Sequence, residues 1–309
     1  MPETILVYVG LDAVGDGLIK LAFIRGLRRA FPTARITWMA GKGHTVFADT
    51  LAPLVTGLID EVIDEAGIGS HPMEVLRRPL PARSFDLIID TQRRVLTSLI
   101  LRRIRHRRFV TGLGRPKPRS MAAQLAALLC AAGGRPDAIA ALPRNAEAEA
   151  EAERLLPSGP VYVGLAPGAG GKHKCWPLAH FIALGQRLAA RGMVPVVLLG
   201  PAEAEEWVAA IQAGLPQALL PLQQARALTP MLTIALAARM RAAVANDSGT
   251  GHMLAAADIA LVSLFGPTPP EKFAPTASRL AVVRAQDFGS EAMAAIPVDA
   301  VDQALRNLL

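Results

Sequence analysis

The feature that most restricts how this chain can fold is a junction in its second half between an apolar run and a glycine-rich turn. Residues 242–245 are apolar and typical of a buried parallel strand, and the next seven residues read Asn-Asp-Ser-Gly-Thr-Gly-His. A strand that leads through such a turn into a helix leaves backbone N–H groups pointing away from the carboxyl edge of its sheet. These groups and the helix dipole favour an anion such as a pyrophosphate. The other interpretation is an ordinary junction in which Asp247 or Ser248 only caps the helix.

Strand and helix patterns alternate along the chain in two successive series. The first series starts with the apolar run 5–9 and closes with an apolar helix at 121–132. The second starts with a strand at 161–166 and closes with a terminal helix at 298–309. This alternation predicts an α/β protein with two Rossmann-like domains that face each other across a cleft, where ligands bind outside the carboxyl ends of the strands.

The composition of the chain changes between about residues 134 and 160, where Gly, Pro and Ala are frequent. We expect the linker between the two domains in this segment. We therefore predict an N-terminal domain over residues 1–145 and a C-terminal domain over residues 146–309. Whether the terminal helix packs back on the first domain stays open at this point.

Composition narrows the class of protein. Hydrophobic residues make up 51% of the 309 residues and charged residues 19%, which is typical of a globular chain. No apolar run reaches the roughly 18–20 residues that a membrane span needs, and no secretory signal pattern is visible. The two cysteines give neither a disulfide framework nor metal-ligand spacing. We expect a cytoplasmic protein.

The net charge of +7 is concentrated in one segment. Residues 91–120 contain no Asp or Glu and ten basic residues: Arg93, Arg94, Arg102, Arg103, Arg105, Arg107, Arg108, Arg115, Lys117 and Arg119. Such a segment attracts phosphates, acidic sugars or anionic lipid head groups, which includes peripheral contact with an inner-membrane surface. Its single aromatic residue, Phe109, gives no stacking series, so we expect no nucleic acid. A solvated helix face would explain the same charge.

Four loops at predicted carboxyl ends of strands carry the candidate chemistry: residues 10–17, 167–176, 246–252 and 266–270. They lack the dinucleotide fingerprint, the phosphate-loop motif, Asp-x-Asp and zinc spacing, so we expect neither a metal nor another cofactor. What remains is a carboxylate, Asp16, the cations Lys172, Lys174 and His252, and glycine-rich backbone. An attacking hydroxyl needs a carboxylate within reach, and a leaving diphosphate needs positive charge and N–H donors.

Together these loops resemble glycosyltransferase family 9, the ADP-heptose:lipopolysaccharide heptosyltransferases and their relatives. The resemblance covers nearly the whole chain. It rests on four motifs in order: Gly15-Asp16 with Arg28-Arg29-Ala30-Phe31-Pro32; Pro167-Gly168-Ala169 with Lys174-Cys175-Trp176-Pro177; Asn246-Asp247-Ser248-Gly249 with His252 and the alanines that follow; and Phe265-Gly266-Pro267-Thr268 with Pro270.

The resemblance implies a GT-B fold, with the acceptor on the N-terminal domain and the nucleotide-sugar on the C-terminal domain. It also implies an inverting transfer without a metal. Asp16 would be the general base, and Lys174 would neutralise the diphosphate. Further donor contacts would come from Gly168, Ala169, Leu228, Asp247, Ser248, Gly249, His252, Gly266, Pro267 and Thr268. Acceptor contacts would come from Gly15, Arg93, Arg94 and Arg115.

Each assignment has an alternative. Asp16 stands where a helix cap belongs, Lys174 could be a surface lysine, and His252 could be structural. Departures from the family pattern, such as the Gly-rich segment 169–173 and the missing acidic residue before Leu220, leave the sugar and the base undefined. A GT-B-like nucleotide-sugar epimerase and a non-catalytic binder of nucleotide-sugar or glycan are the other functions that fit.

Overall fold

The computed structural model describes residues 1–135, 142 and 145–309. The chain divides into two compact units, Met1–Ala141 and Leu142–Leu309, and each contains a five-stranded parallel sheet. This confirms the predicted α/β class. No helix in the described part of the chain combines the length and apolar character that a membrane span requires.

The sheet of the first unit has the strand order β3-β2-β1-β4-β5. Its central strand is buried from Ile5 to Val9, as is typical of parallel sheets, which explains the continuous apolar run in the sequence. The strands are β1 (Thr4–Val9), β2 (Arg35–Ala40), β3 (Glu61–Ile63), β4 (Ser84–Asp90) and β5 (Arg105–Thr111). The helices are α1 (Val14–Ala30), α2 (Ala52–Val55), α3 (Val95–Leu101) and α4 (Met121–Ala132), with a 3-10 turn at Pro72–Val75.

The sheet of the second unit has the order β10-β9-β8-β6-β7. Its elements begin with α5 (Ala146–Leu155), β6 (Tyr162–Ala166), α6 (Leu178–Ala190), β7 (Val194–Val197), α7 (Pro201–Gly214) and α8 (Pro230–Ala237). They continue with β8 (Ala242–Asn246), α9 (Gly249–Ala256), β9 (Ala260–Phe265), α10 (Pro270–Phe273), β10 (Leu280–Arg284) and α11 (Val298–Leu308). Strand β8 lies at the centre, between β9 and β6, so the junction that opened the sequence analysis sits in the middle of this sheet.

All ten of these strands lie where the sequence patterns place them, and most differences are at element ends. The prediction that Asp16 stands at the cap of α1 is wrong. The capping position is Ala13, and Asp16 is the third residue of the helix, because the helix starts at Val14. The sequence pattern indicates a strand at Arg108–Gly112 and a helix from about Leu96 to Ile104. In the structure β5 begins three residues earlier, at Arg105, and α3 ends at Leu101.

The predicted linker is part loop and part folded structure. Residues 136–141 and 143–144 lie outside the described residues. Helix α5, inside the predicted linker, packs on α8 and buries Ala148 and Ala152. At the carboxyl terminus of the second unit, Val301 and Leu305 of α11 are buried in the hydrophobic core of that unit.

A glycine sets the closest approach between α1 and α4. A Cβ atom on Gly26 would lie 2.5 Å from Leu129 Cδ2 and 2.8 Å from the backbone oxygen of Arg135. These distances are shorter than van der Waals contact, and the oxygen belongs to the backbone and cannot rotate away. The two helices therefore pack at this distance only because residue 26 has no side chain.

We predict that Gly26→Ala lowers the free energy of unfolding by about 1–3 kcal/mol, because overpacking outweighs the gain of about 1 kcal/mol in helix propensity. Urea denaturation followed by far-UV circular dichroism measures the change. A stability equal to or above that of the wild type would contradict this close packing.

Candidate functional site

The loops that follow β6, β8 and β9 meet at the carboxyl edge of the second sheet. These three strands are neighbours and run parallel, so their ends lie side by side. These loops contain most of the residues that the sequence analysis predicted to bind the donor. They are joined to one another by four polar side chains, those of Asn246, Asp247, Lys174 and Thr268.

Asn246, the last residue of β8, is completely buried and joins two of the loops. Its Oδ1 accepts a hydrogen bond from the backbone N–H of Trp176 at 3.0 Å. Its Nδ2 donates to the backbone oxygen of Pro167 at 2.7 Å. One amide therefore fixes both ends of the loop that contains Lys174. A side chain without both a donor and an acceptor could not make these two bonds.

Asp247 receives two hydrogen bonds on the same carboxylate oxygen. Lys174 Nζ donates to Oδ2 at 3.2 Å, and Thr268 Oγ1 donates to it at 2.7 Å. The carboxylate is mostly buried, whereas the Lys174 side chain is 28% exposed. Lys174 also lies 5.9 Å above the ring of Phe273. Asp247 thus holds Lys174 at the sheet edge, and part of the lysine side chain remains exposed.

The start of α9 has the geometry expected of an anion-binding turn. Ser248 is the capping residue, and its hydroxyl accepts from the backbone N–H of Gly251 at 3.2 Å. A Cβ atom on Gly249 would meet nothing within 4 Å, so the first turn of the helix is open to an approaching group. His252 follows in the same turn of α9. Of the two capping residues that the alternative interpretation of this junction offered, Ser248 is the one that caps the helix, and Asp247 is not.

Gly168 and Gly266, two further residues predicted to bind the donor, lie close to atoms of other loops and helices. A Cβ atom on Gly168 would lie 2.6 Å from Glu203 Oε1. A Cβ atom on Gly266 would lie 2.7 Å from the backbone oxygen of Glu291. Ala169 and Pro267 occupy the same two loops. Leu228 lies in the segment before α8 and is 49% exposed, which leaves its side chain available to an apolar ligand group.

The loop between β6 and α6 contains two more residues that the sequence singled out. Lys172 forms an exposed ion pair with Glu206 at 2.9 Å, so this cation turns away from the Asp247 group. Burial raises the pKa of the Cys175 thiol, which agrees with its assignment as a packing residue.

In the first unit, the candidate base lies at the corresponding edge of the sheet. Gly15 and Asp16 are in the first turn of α1, and both are half-buried. The sequence analysis missed a polar group directly beside them. Asp12 and Lys20 are both buried and form an ion pair, and Lys20 lies one helical turn after Asp16.

Asp12 ties the β1–α1 loop to the rest of the sheet. Its Oδ2 accepts from Trp38 Nε1 at 3.1 Å and from Thr45 Oγ1 at 2.8 Å. Burial lowers the pKa of the Lys20 ammonium to about 7. The sequence did contain a sign of this ion pair. Lys20 falls among the apolar residues that α1 buries, and a charge on a buried helix face needs a partner.

Asp90, the last residue of β4, is a second acid, and the sequence analysis did not single it out. Its carboxylate accepts from the backbone N–H of Gln92 at 2.8 Å and from the hydroxyls of Ser98 and Thr111. Burial raises its pKa to about 6, against the opposing effect of these hydrogen bonds and of Lys42. The carboxyl edge of the first sheet therefore contains a buried carboxyl group whose pKa is raised by its burial.

The arginines of residues 93–119 differ in what they contact. Arg93 donates to the backbone oxygen of Arg115 at 2.7 Å, and Arg94 is the capping residue of α3. Arg108 donates to carbonyls at the end of α4, including that of Ala132 at 3.1 Å. Arg93, Arg94 and Arg115 follow the carboxyl ends of β4 and β5 in the chain. Arg108, in contrast, binds the end of α4 to the sheet.

The described residues thus contain two units, each with a five-stranded parallel sheet, and a glycine-rich strand–turn–helix junction follows the central strand of the second sheet. The sequence model of glycosyltransferase family 9 (heptosyltransferase) matches residues 117–295, more than half of the chain. The chain belongs to glycosyltransferase family 9.

Individual relatives agree with this assignment. The chain is 35% identical over 133 residues to lipooligosaccharide heptosyltransferase 2 of Haemophilus influenzae, a match that covers 42% of this chain and 38% of that protein. The chain thus spans less than half of the length of this curated relative.

Solved structures resemble the chain over nearly its whole length. The family 9 glycosyl transferase of Veillonella parvula has a TM-score of 0.74 at 19% identity, covering 99% of this chain and 97% of that one. The Escherichia coli heptosyltransferase WaaC with ADP has a TM-score of 0.71 at 20% identity, covering 99% and 100%. These likenesses establish the fold.

We predict that Asp90→Asn changes the pH dependence of stability. The folded-state pKa of Asp90 is raised above its ordinary value, so the folded state binds the extra proton between about pH 4 and 6 and loses stability as the pH rises through that window. Asparagine carries no charge at either pH. The difference in unfolding free energy, variant minus wild type, should therefore rise by up to about 3 kcal/mol between pH 4 and 7.

Urea denaturation of both proteins at pH 4 and pH 7 measures this difference, and the subtraction removes the effect of all other titrating groups. A difference that is the same at both pH values would show that Asp90 titrates normally.

Proposed function

We propose that this chain is an inverting, metal-independent glycosyltransferase that transfers a heptose from ADP-heptose onto a lipopolysaccharide core or a related anionic glycan. The observation that carries the proposal is the Lys174–Asp247–Thr268 group beside the open first turn of α9. Family membership supports sugar transfer, and the named relatives support the heptose, the ADP and the lipopolysaccharide acceptor.

On the donor side, the leaving group is a nucleoside diphosphate, whose negative charge grows as its bond to the sugar breaks. Lys174 would meet that charge with its ammonium, and the first backbone N–H groups of α9 and His252 would add donors. Asp247 would act by holding Lys174 in place. Leu228 would lie against the nucleotide base.

On the acceptor side, the attacking group is a sugar hydroxyl. Asp16 would take its proton while the hydroxyl oxygen forms a bond to the anomeric carbon from the face opposite the diphosphate. The bond between the anomeric carbon and the diphosphate oxygen breaks, ADP leaves, and the configuration inverts. Arg93, Arg94 and Arg115, with Gly15, would bind the anionic acceptor.

Two other functions would give different products. A nucleotide-sugar epimerase would isomerise the donor without an acceptor, so incubation with ADP-heptose alone separates it from a transferase. A binding protein would give neither product. Membership of a transferase family favours transfer over both.

We predict that Lys174→Met weakens ADP binding by about 10–100-fold, because a charge-assisted contact to phosphate contributes about 1.5–3 kcal/mol. Isothermal titration calorimetry measures the dissociation constant. Lys172→Met is the matched control, since this lysine lies in the same turn but pairs with Glu206. Equal losses in both variants would contradict the assigned role of Lys174.

We predict that Asp16→Asn lowers the rate of transfer from ADP-heptose to a heptose-deficient lipopolysaccharide acceptor by at least about 100-fold, since general-base catalysis contributes typically 10²–10⁴-fold. The thermal shift on adding ADP should remain, because Asp16 is assigned to the acceptor reaction. Retained transfer would exclude Asp16 as the base, and loss of the ADP shift would point to a folding defect.

A further inference from the structure

An apolar surface of the first unit has no covering element within the described chain. It consists of Met73 and Leu76, at the 3-10 turn, and Val95 and Leu99 of α3, which are 65%, 74%, 61% and 48% exposed. The turn and the helix pack beside each other, and Thr97 Oγ1 donates to the backbone oxygen of Gly69 at 2.9 Å between them. The four side chains therefore belong to neighbouring elements. We call them the apolar surface.

The exposure of α3 follows from its sequence. Ile100 and Leu101 are buried, so this helix already uses one face for the core. Val95 and Leu99 are four residues apart and project together from the opposite face. Neither is needed for the core, and large apolar side chains clustered in this way mark an interaction surface.

The segment of chain that contains the apolar surface is rich in positive charge. Residues 66–120 contain thirteen Lys and Arg residues and three Asp and Glu residues, which is more positive charge than the whole chain carries in excess. The three acids are engaged locally: Glu74 accepts from three backbone N–H groups, Asp86 from two, and Asp90 is buried. Exposed arginines lie beside the apolar residues in sequence: Arg77, Arg78, Arg94, Arg102 and Arg103.

These two properties together indicate one kind of partner. Apolar side chains bordered by arginines are suited to the boundary between head groups and acyl chains, where the apolar atoms insert and the guanidinium groups remain with anionic head groups. Each such arginine adds to the electrostatic attraction near an anionic leaflet. A protein partner would need its own acidic surface around an apolar centre.

We propose that the apolar surface and its flanking arginines dock this protein onto an anionic lipid bilayer. The site differs from the sequence expectation, which assigned membrane contact to the arginines of residues 93–119 as a group. Membrane docking would bring the protein to a lipid-linked acceptor, and only this purpose rests on the proposed function. Binding itself requires neither donor nor transfer.

The test is co-sedimentation of the full chain with vesicles of phosphatidylglycerol and phosphatidylethanolamine, and with vesicles of phosphatidylcholine alone. We expect binding to the anionic vesicles that weakens at high salt, and at least tenfold weaker binding to phosphatidylcholine. The variant Met73→Ser/Leu76→Ser/Val95→Ser/Leu99→Ser, which keeps every charge, should lose at least tenfold in partition coefficient. Leu76→Ser alone provides a milder variant if the fourfold one fails to fold.

A matched control replaces exposed apolar residues of the second unit, as Val161→Ser/Val282→Ser/Phe288→Ser, and should bind as the wild type does. Equal binding by the fourfold variant, or no binding by the wild type, would overturn the proposal. So would a wild-type dimer that the fourfold variant converts to a monomer, because the apolar surface would then be a protein interface. ADP binding should be unchanged in every variant, so failure here is distinguishable from failure of the proposed transferase.

Discussion

The candidate donor site depends on one buried amide. Asn246 stands at the end of the central strand of the second sheet and bonds to both ends of the loop that contains Lys174. A buried amide with one partner removed is left with an unsatisfied polar group, which costs about 1–3 kcal/mol. The next residue, Asp247, then sets the position of the Lys174 ammonium. A strand end, a loop and a cation are thus fixed by two consecutive side chains.

The first unit fixes its candidate base by a related arrangement. Asp12 bonds to Trp38 on the neighbouring strand and to Thr45, and it pairs with Lys20 on the helix that carries Asp16. Removing one partner of a buried ion pair leaves an uncompensated charge. Asp12 and Lys20 therefore hold the β1–α1 loop in one position relative to α1. In both units a buried polar residue, separate from the proposed reacting group, holds the loop at the carboxyl edge of the sheet.

The sequence predicted much of this architecture because the signals were local. The apolar runs of β1 and β8 and the capping residue Ser248 can each be read from a few neighbouring residues. The partnership of Lys174 with Asp247 could not be predicted, although both residues were singled out, because it depends on side-chain placement across 73 residues of chain. The raised pKa of Asp90 was missed for the same reason, since it follows from burial by distant elements.

Trp176 has a consequence for the order in which the donor site can form. Its indole N–H donates to the backbone oxygen of Ile296 at 2.9 Å, across 120 residues of chain, while its backbone N–H is held by Asn246. The loop with Lys174 is therefore anchored at one end to chain that leaves the ribosome much later. During synthesis, the strands of the second sheet can pair before this anchor exists. A nascent chain that has not yet reached Ile296 would hold this loop through Asn246 and Asp247 alone, and the indole of Trp176 would gain its partner only after synthesis had passed that residue.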